Sequence, residues 1–202
     1  MGNSQKFKPS IILIALNVAF YIYTSVAGEN FLNTGTNMLL QYGQVNALVF
    51  QGDYWRLFTS MFIHADIAHI VGNMLFLLIF GLRGEEMFSL PEYLSIYFLG
   101  GLTGNLISLL LLPLDTISVG ASGAIFSMFG AAIIYARHSV RQSIIGAMIY
   151  VFFMLFLSSG AGVNNFAHIG GLVAGLLIGY VLATRRKPET RYTISYSYST
   201  FP

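Results

Sequence analysis

The stretch SVGASGAIFSMFG, residues 118–130, passes from small residues into a hydrophobic run. Ser122 stands at that transition, between Ala121 and Gly123, where a membrane helix is predicted to begin. Serine in a membrane helix commonly serves helix packing or bonds to its own backbone. The stretch therefore raises the question of whether the hydroxyl of Ser122 only packs or also reacts.

The composition indicates a membrane protein. Of the 202 residues, 55% are hydrophobic and only 9% are charged, whereas soluble domains carry about 25% charged residues. Glycine is frequent, with 21 residues, which suits close helix packing in lipid. Because the chain has no cysteine, disulfides and thiolate metal sites are excluded.

Six segments are predicted to be membrane helices, so the expected fold is an all-α polytopic bundle. They cover residues 10–26, 68–82, 93–112, 122–136, 143–157 and 166–183. The connection between the first two segments, residues 27–67, is long and contains the single tryptophan, Trp55. Because this connection is rich in apolar residues, we expect short helices at the outer membrane interface within it.

Basic residues are distributed unequally between the two sides of this topology. Nine of the ten lysines and arginines lie in the tails or in loops on the same side as the tails, and only Arg56 lies on the other side. The positive-inside rule therefore predicts that both termini are cytoplasmic. The even number of predicted helices agrees with this orientation.

Two polar side chains on different segments are predicted at nearly the same depth. With a rise of about 1.5 Å per residue, Ser122 lies about 22 Å above Arg137, at the cytoplasmic end of its helix. By the same count, His168 lies about 25 Å above Arg185. Both depths are near the outer face of a hydrocarbon core about 30 Å thick. Polar and ionisable groups at such depths mark functional sites by default.

Small residues predict that the fourth and sixth segments pack closely. On each segment they recur at intervals of four, namely Gly171, Gly175 and Gly179 on the sixth segment and Gly123, Ser127 and Ala131 on the fourth. Such stripes let two backbones approach each other in lipid. We therefore expect Ser122 and His168 to come within hydrogen-bond reach.

This pair of side chains predicts acyl-transfer chemistry. A serine hydroxyl becomes a strong nucleophile when a base such as neutral His168 takes its proton. The backbone N–H of Ser122, the amide of Asn73 and the ring of His69 are candidate donors to an oxyanion. His69 and Asn73 are four residues apart and share one helical face. Because the second, fourth and sixth segments carry no acidic residue at this depth, we expect a dyad rather than a triad.

Four motifs resemble those of the rhomboid intramembrane serine proteases. GASGAIF at residues 120–126 resembles their GxSG motif, and AHIGGLVAG at residues 167–175 resembles AHxxGxxxG. HADIAHIVGN at residues 64–73 is similar to the motif on their second helix, and YWRLFTSMFIH at residues 54–64 is similar to their Trp-Arg loop motif. The four motifs occur in the family's order, and the resemblance covers about residues 10–186.

The resemblance implies that Ser122 is the nucleophile and His168 the general base, with an oxyanion hole formed by His69, Asn73 and Ser122. The other matched residues are structural, namely Trp55, Arg56 and His64 in the outer loop, Glu85 between helix ends at the cytoplasmic side, and Gly171 and Gly175 in helix packing. Phe126 replaces a tyrosine that is common in the family, so stacking on the histidine is kept and a hydroxyl is lost.

The resemblance also implies an organisation and a substrate class. Residues 1–9 would form a cytoplasmic tail, residues 10–186 a six-helix membrane domain, and residues 187–202 a poorly ordered cytoplasmic tail. The expected substrates are single-pass transmembrane proteins that enter laterally near the fifth segment and residues 158–165. We expect a multi-pass protein of the plasma (inner) membrane that contacts the lipid bilayer and has no cofactor, metal or nucleic-acid partner. The sequence makes no prediction about oligomeric state.

Two alternatives belong to other functional classes. A catalytically silent rhomboid-like protein that binds membrane clients is disfavoured, because such relatives typically lack the serine or the histidine. A metal-dependent protease or metal transporter would use His64, His69 and His168. No HExxH motif is present, and His64 and His69 are five residues apart, so they do not share a helical face.

Overall fold

The computed structural model describes residues 8–140, 146, 149 and 162–186. Apart from residues 146 and 149, the predicted fifth helix at residues 143–157 lies outside the described residues, as do residues 1–7 and the whole predicted C-terminal tail, residues 187–202. Four of the described helices are long and apolar enough to cross a membrane, and residues Ser122–Ala136 form a shorter apolar helical stretch. The protein is therefore mostly helical and crosses the membrane several times.

The described helices are α1 (Pro9–Ala27), α2 (Thr36–Tyr42), α3 (Asn46–Phe50), α4 (Arg56–Thr59), α5 (Ile67–Met87), α6 (Leu90–Leu111), α7 (Ser122–Val140) and α8 (Asn165–Arg185). A 3₁₀ turn covers Ser60–Phe62, and two short strands are β1 (Gln44–Val45) and β2 (Ile117–Ser118). The four candidate membrane spans are α1, α5, α6 and α8.

Two helices end four or more residues later than the sequence predicts. The second predicted segment ended at residue 82 and the fourth at residue 136, whereas α5 continues to Met87 and α7 to Val140. Arg83 and Glu85 therefore lie within α5 and not in a loop after it. The predictions stopped at the first charged residues, but a charge limits burial in lipid and does not interrupt a helix. Arg83 and Glu86 even form an exposed ion pair along α5, at 2.5 Å.

Helices α7 and α8 pack backbone against backbone through their small residues. A Cβ added to Gly171 would collide with the carbonyl oxygen of Gly123, and one added to Gly175 would collide with that of Ser127. A Cβ on Gly179 would lie 2.7 Å from the Cα of Ala131. The structure therefore brings the two predicted stripes together, with Gly171, Gly175 and Gly179 of α8 each facing one small residue of α7. This contact sets how closely the two helices approach each other.

The far end of α8 is tied to three other helices by Arg186. Its guanidinium donates to the carbonyl of Met87 at 2.6 Å, to the hydroxyl of Tyr135 at 2.5 Å and to the carboxylate of Glu92 at 2.6 Å. The ring of Tyr135 also lies 4.9 Å below the guanidinium. These contacts limit sliding of α8 along its axis.

Between α1 and α5 the chain forms α2, α3, α4 and the 3₁₀ turn rather than an open linker. Arg56 is buried there, and its Nη1 donates to three carbonyls at the end of α2, those of Leu40, Gln41 and Gly43, at 2.8–3.1 Å. Its Nε donates to Asp53 at 2.9 Å, and its guanidinium lies 4.6 Å from the ring centroid of the half-exposed Trp55.

The carbonyls that accept hydrogen bonds from Arg56 belong to residues that immediately precede β1 in the chain. This strand pairs with β2 in antiparallel register, with Gln44 opposite Ser118 and Val45 opposite Ile117. Because β2 ends four residues before Ser122, the folded connection supports the segment that leads into α7.

Candidate active site

Ser122 and His168 lie in direct contact. Ser122 is the first residue of α7 and His168 lies in the first turn of α8, with Ser122 Oγ 2.9 Å from His168 Nε2. The ring of Phe126, one turn along α7, stacks on the imidazole with 4.6 Å between centroids and 22° between planes. His168 is only 5% exposed, so the ring is held by packing. At this distance a neutral imidazole can accept the hydroxyl proton.

The segment before Ser122 contains a glycine that the sequence reasoning did not single out. Gly120 has a φ of +121°, a conformation in which an L side chain is strained, and its N–H donates to the carbonyl of Ser60 at 2.9 Å. A Cβ at Gly120 would lie 2.7 Å from His69 Nε2 and 3.8 Å from Ser122 Oγ. Gly120 therefore lets the His69 ring approach the hydroxyl. Its signal in the sequence was its place two residues before Ser122.

His69 and Asn73 line the same cavity as Ser122 and His168, which has a volume of about 580 Å³. Asn73 Nδ2 donates to the carbonyl of His69 at 2.9 Å, which fixes the amide one helical turn from the ring. His69 Nδ1 accepts from the N–H of Ala65 at 3.4 Å. Because that contact occupies Nδ1 as an acceptor, it favours a proton on Nε2, the nitrogen that faces Gly120.

Asp66 also borders this cavity, but its carboxylate is used at the start of α5. Its Oδ1 accepts from the N–H of His69 at 2.7 Å, which makes it the N-cap of that helix. The same cap orients the first turn of α5, where His69 lies. Within residues 8–140 and 162–186, no group of three or more His, Cys, Asp or Glu side chains is arranged to hold a metal ion.

His64 lies behind the cavity and is completely buried. Its ring centroid is 5.1 Å from that of His69, edge to face, and its carbonyl accepts from the hydroxyl of Thr34 at 2.6 Å. Among the described residues, neither ring nitrogen of His64 has a hydrogen-bond partner. Burial, assisted by the neighbouring His69, lowers the pKa of His64 to about 3. His64 is therefore neutral at physiological pH and supports the His69 ring by packing.

The buried His64 predicts that acid destabilises the protein. The unfolded chain takes up a proton near the ordinary histidine pKa of about 6.5, whereas the folded chain resists protonation until about pH 3. The contribution of His64 is therefore complete above about pH 6.5 and is lost as pH falls towards about 3. The variant His64→Phe should lose less thermal stability than the wild type between about pH 7 and about pH 4. Melting curves in detergent test this, and an identical pH dependence would contradict it.

Glu85 lies at the far end of α5 from His69. Its Oε1 accepts from the N–H of Ser10 at 2.9 Å, and the hydroxyl of Ser10 lies 2.9 Å from that of Tyr93. These contacts join the beginnings of α1 and α6 to the last turns of α5. They stabilise the bundle at a distance from the Ser122–His168 contact.

Comparison with known proteins identifies the family. Residues 51–185 match the model of the Rhomboid domain. The chain is 36% identical to the RHOMBOID-like protein 6, mitochondrial, of Arabidopsis thaliana over 75% of its length, and 34% identical to the Rhomboid protease GluP of Bacillus subtilis over 88%. It is 35% identical to the Rhomboid-like protease 3 of Toxoplasma gondii over 84% of its length.

The chain spans 52% of the Arabidopsis relative, 36% of the Bacillus relative and 67% of the Toxoplasma relative. The domain match covers more than half of the chain, and the Toxoplasma relative is matched over two thirds of its own length. On these grounds, the chain belongs to the rhomboid family.

Proposed function

We propose that this chain is an intramembrane serine endopeptidase that cleaves single-pass transmembrane proteins near the outer face of the membrane. The observation that carries the proposal is the 2.9 Å contact between Ser122 Oγ and His168 Nε2 at the wall of the cavity. The names of the Bacillus and Toxoplasma relatives, both proteases, support the reaction class.

In the proposed reaction, His168 Nε2 accepts the hydroxyl proton while Ser122 Oγ bonds to the scissile carbonyl carbon. The tetrahedral intermediate collapses when the C–N bond breaks and His168 returns the proton to the leaving amine. This leaves an acyl-enzyme on Ser122. A water molecule then attacks the ester, with His168 again as the base, and the acid product and the free serine are released.

The oxyanion would be stabilised by three donors. The N–H of Ser122 lies in the first turn of α7, where backbone N–H groups have no partner within the helix. A primary amide has two N–H groups, and Asn73 uses one on the carbonyl of His69, so the other is the proposed donor. The third donor is His69 Nε2, which faces Gly120 beside Ser122.

The proposal includes the finer topology. The segment at residues 143–157 would supply the helix that completes six, and residues 27–67 would form the outer loop with Trp55, Arg56 and His64 as structural members. Residues 1–9 and 187–202 would form two cytoplasmic tails, which precede and follow in sequence a membrane domain at residues 10–186. The basic residues at the tail side support this orientation. The proposed location is the plasma (inner) membrane.

The proposal is tested by replacing Ser122 with alanine. We expect Ser122→Ala to lower cleavage of a single-pass reporter in liposomes by about three orders of magnitude or more, because the nucleophile is lost. Ser127→Ala is a matched control, since it removes a buried hydroxyl of the same helix that donates to the carbonyl of Ile96; it should retain cleavage.

Cleavage by Ser122→Ala at the wild-type rate would refute the proposal. Binding of the reporter by wild-type protein without any cleavage would favour the client-binding alternative.

A further inference from the structure

A single amide joins the two segments that carry Ser122 and His168. Asn164 immediately precedes α8, and its Oδ1 accepts from the N–H of Ala167 at 3.1 Å, which caps that helix. Its Nδ2 donates to the hydroxyl of Ser108 at 2.5 Å and to that of Ser118 at 2.8 Å. The amide oxygen therefore bonds to α8, and the amide nitrogen bonds to α6 and β2.

The positions of these partners give the amide its significance. Asn164 lies four residues before His168, and the backbone carbonyl of Asn164 accepts from the backbone N–H of His168 at 3.3 Å. Ser118 lies four residues before Ser122, at the end of β2. The bridge therefore joins two points that are each only four residues from the proposed nucleophile or base.

The acceptors of the bridge are rigidly held. Ser108 is completely buried in α6 and Ser118 is 5% exposed, with 3.3 Å between the two hydroxyl oxygens. Two residues after Ser118, the N–H of Gly120 is held by the carbonyl of Ser60. The segment from β2 to Ser122 is thus held at both Ser118 and Gly120, and the Asn164 amide links its β2 end to α8.

We infer that Asn164 is a positioning residue that sets the distance between Ser122 and His168. The inference rests on the proposed function for its catalytic consequence, but not for its structural one. The glycine stripes fix how closely α7 and α8 approach along their length, whereas the bridge acts at the end where the two side chains meet. Losing it releases the first turn of α8 from the β2 segment. A misplacement of about 1 Å at reacting atoms can lower a rate about 100-fold.

The sequence indicates the helix cap formed by Asn164 but not its bridge to the two serines. An asparagine one turn before a histidine is a recognisable helix cap. Its second bond, to serines 46 and 56 residues away, depends on how α6, β2 and α8 are arranged. No local sequence pattern around Asn164 indicates that arrangement.

The test uses the full-length protein in detergent and separates capping from bridging. Asn164→Ser keeps a capping hydroxyl but is too short to bridge, and Ser118→Ala removes one acceptor while leaving the cap. We expect Asn164→Ser to lower kcat and the rate of fluorophosphonate labelling of Ser122 by about 10- to 100-fold per folded molecule, with little change in KM. Ser118→Ala should have a smaller effect, and the double variant should be no slower than Asn164→Ser.

Asn37→Ser is the matched control, since Asn37 is exposed and its Oδ1 accepts the N–H of Met38 at 2.9 Å. It should leave both rates unchanged. A purely structural role for Asn164 would lower the melting temperature while the rates per folded molecule stay at the wild-type value, and that result would overturn the inference.

A crystal structure of Asn164→Ser tests the same inference without activity. We expect Ser122 Oγ and His168 Nε2 to lie beyond hydrogen-bond distance, and an unchanged 2.9 Å separation would overturn the inference. If wild-type protein neither cleaves nor labels, the proposed function fails. The structure of the variant then still decides whether Asn164 positions the two side chains.

Discussion

Replacing His168 with alanine is expected to lower cleavage of a transmembrane reporter by about three orders of magnitude or more. The imidazole lies 2.9 Å from Ser122 Oγ and is stacked on Phe126, so it is both in reach of the hydroxyl proton and fixed in orientation. Without it the hydroxyl remains a weak nucleophile. The measurement is the initial rate of cleavage in liposomes, normalised to folded protein.

A double variant provides the control for this prediction. If Ser122 and His168 act as one unit, Ser122→Ala combined with His168→Ala should be no slower than either single variant. Multiplied losses in the double variant would contradict that joint action. Activity that survives in His168→Ala would show that another group, such as His69 or Asp66 at the same cavity, takes the proton.

The second large effect is expected from Gly175→Ala in α8. The added Cβ would collide with the carbonyl oxygen of Ser127, a backbone atom that has no rotamer by which to move away. Overpacking of this kind costs about 1–3 kcal/mol, and here the strain separates α7 from α8. We expect a melting temperature several degrees lower and labelling of Ser122 reduced by about 100-fold, because both reacting side chains lie at the ends of these helices.

Gly72→Ala is the matched control for stability. A Cβ at Gly72 would meet nothing within 4 Å, although this glycine also lies within a helix. Because alanine is favoured over glycine in helices by about 0.5–1 kcal/mol, Gly72→Ala should leave the melting temperature unchanged or raise it. If Gly175→Ala melts and labels like the wild type, close backbone contact does not hold α7 against α8.

Part of the site followed from the sequence because helix geometry is regular. Counting residues from Arg137 and Arg185 predicted Ser122 and His168 at one depth, and the structure places the two side chains in contact. The glycine stripes predicted that their helices meet. They did not predict the register, since stripes with a period of four can slide by one turn and still match.

Other features depend on tertiary contacts that leave little trace in the chain. The strands β1 and β2 contain two residues each, too few to show an alternating pattern. The bridge from Asn164 joins residues far apart in sequence, and the exact place of Gly120 beside His69 becomes visible only once α5 and α7 are packed. The ends of α5 and α7 were missed because hydropathy reports burial in lipid rather than helix formation.

The central claim is that Ser122 is a nucleophile activated by His168, and covalent labelling tests it most directly. Full-length protein in detergent is treated with a fluorophosphonate, and the modified peptide is located by mass spectrometry. We expect one adduct on Ser122 in wild-type protein and almost none in His168→Ala. Folded wild-type protein that carries no adduct on Ser122, or that is labelled equally well in His168→Ala, would contradict the claim.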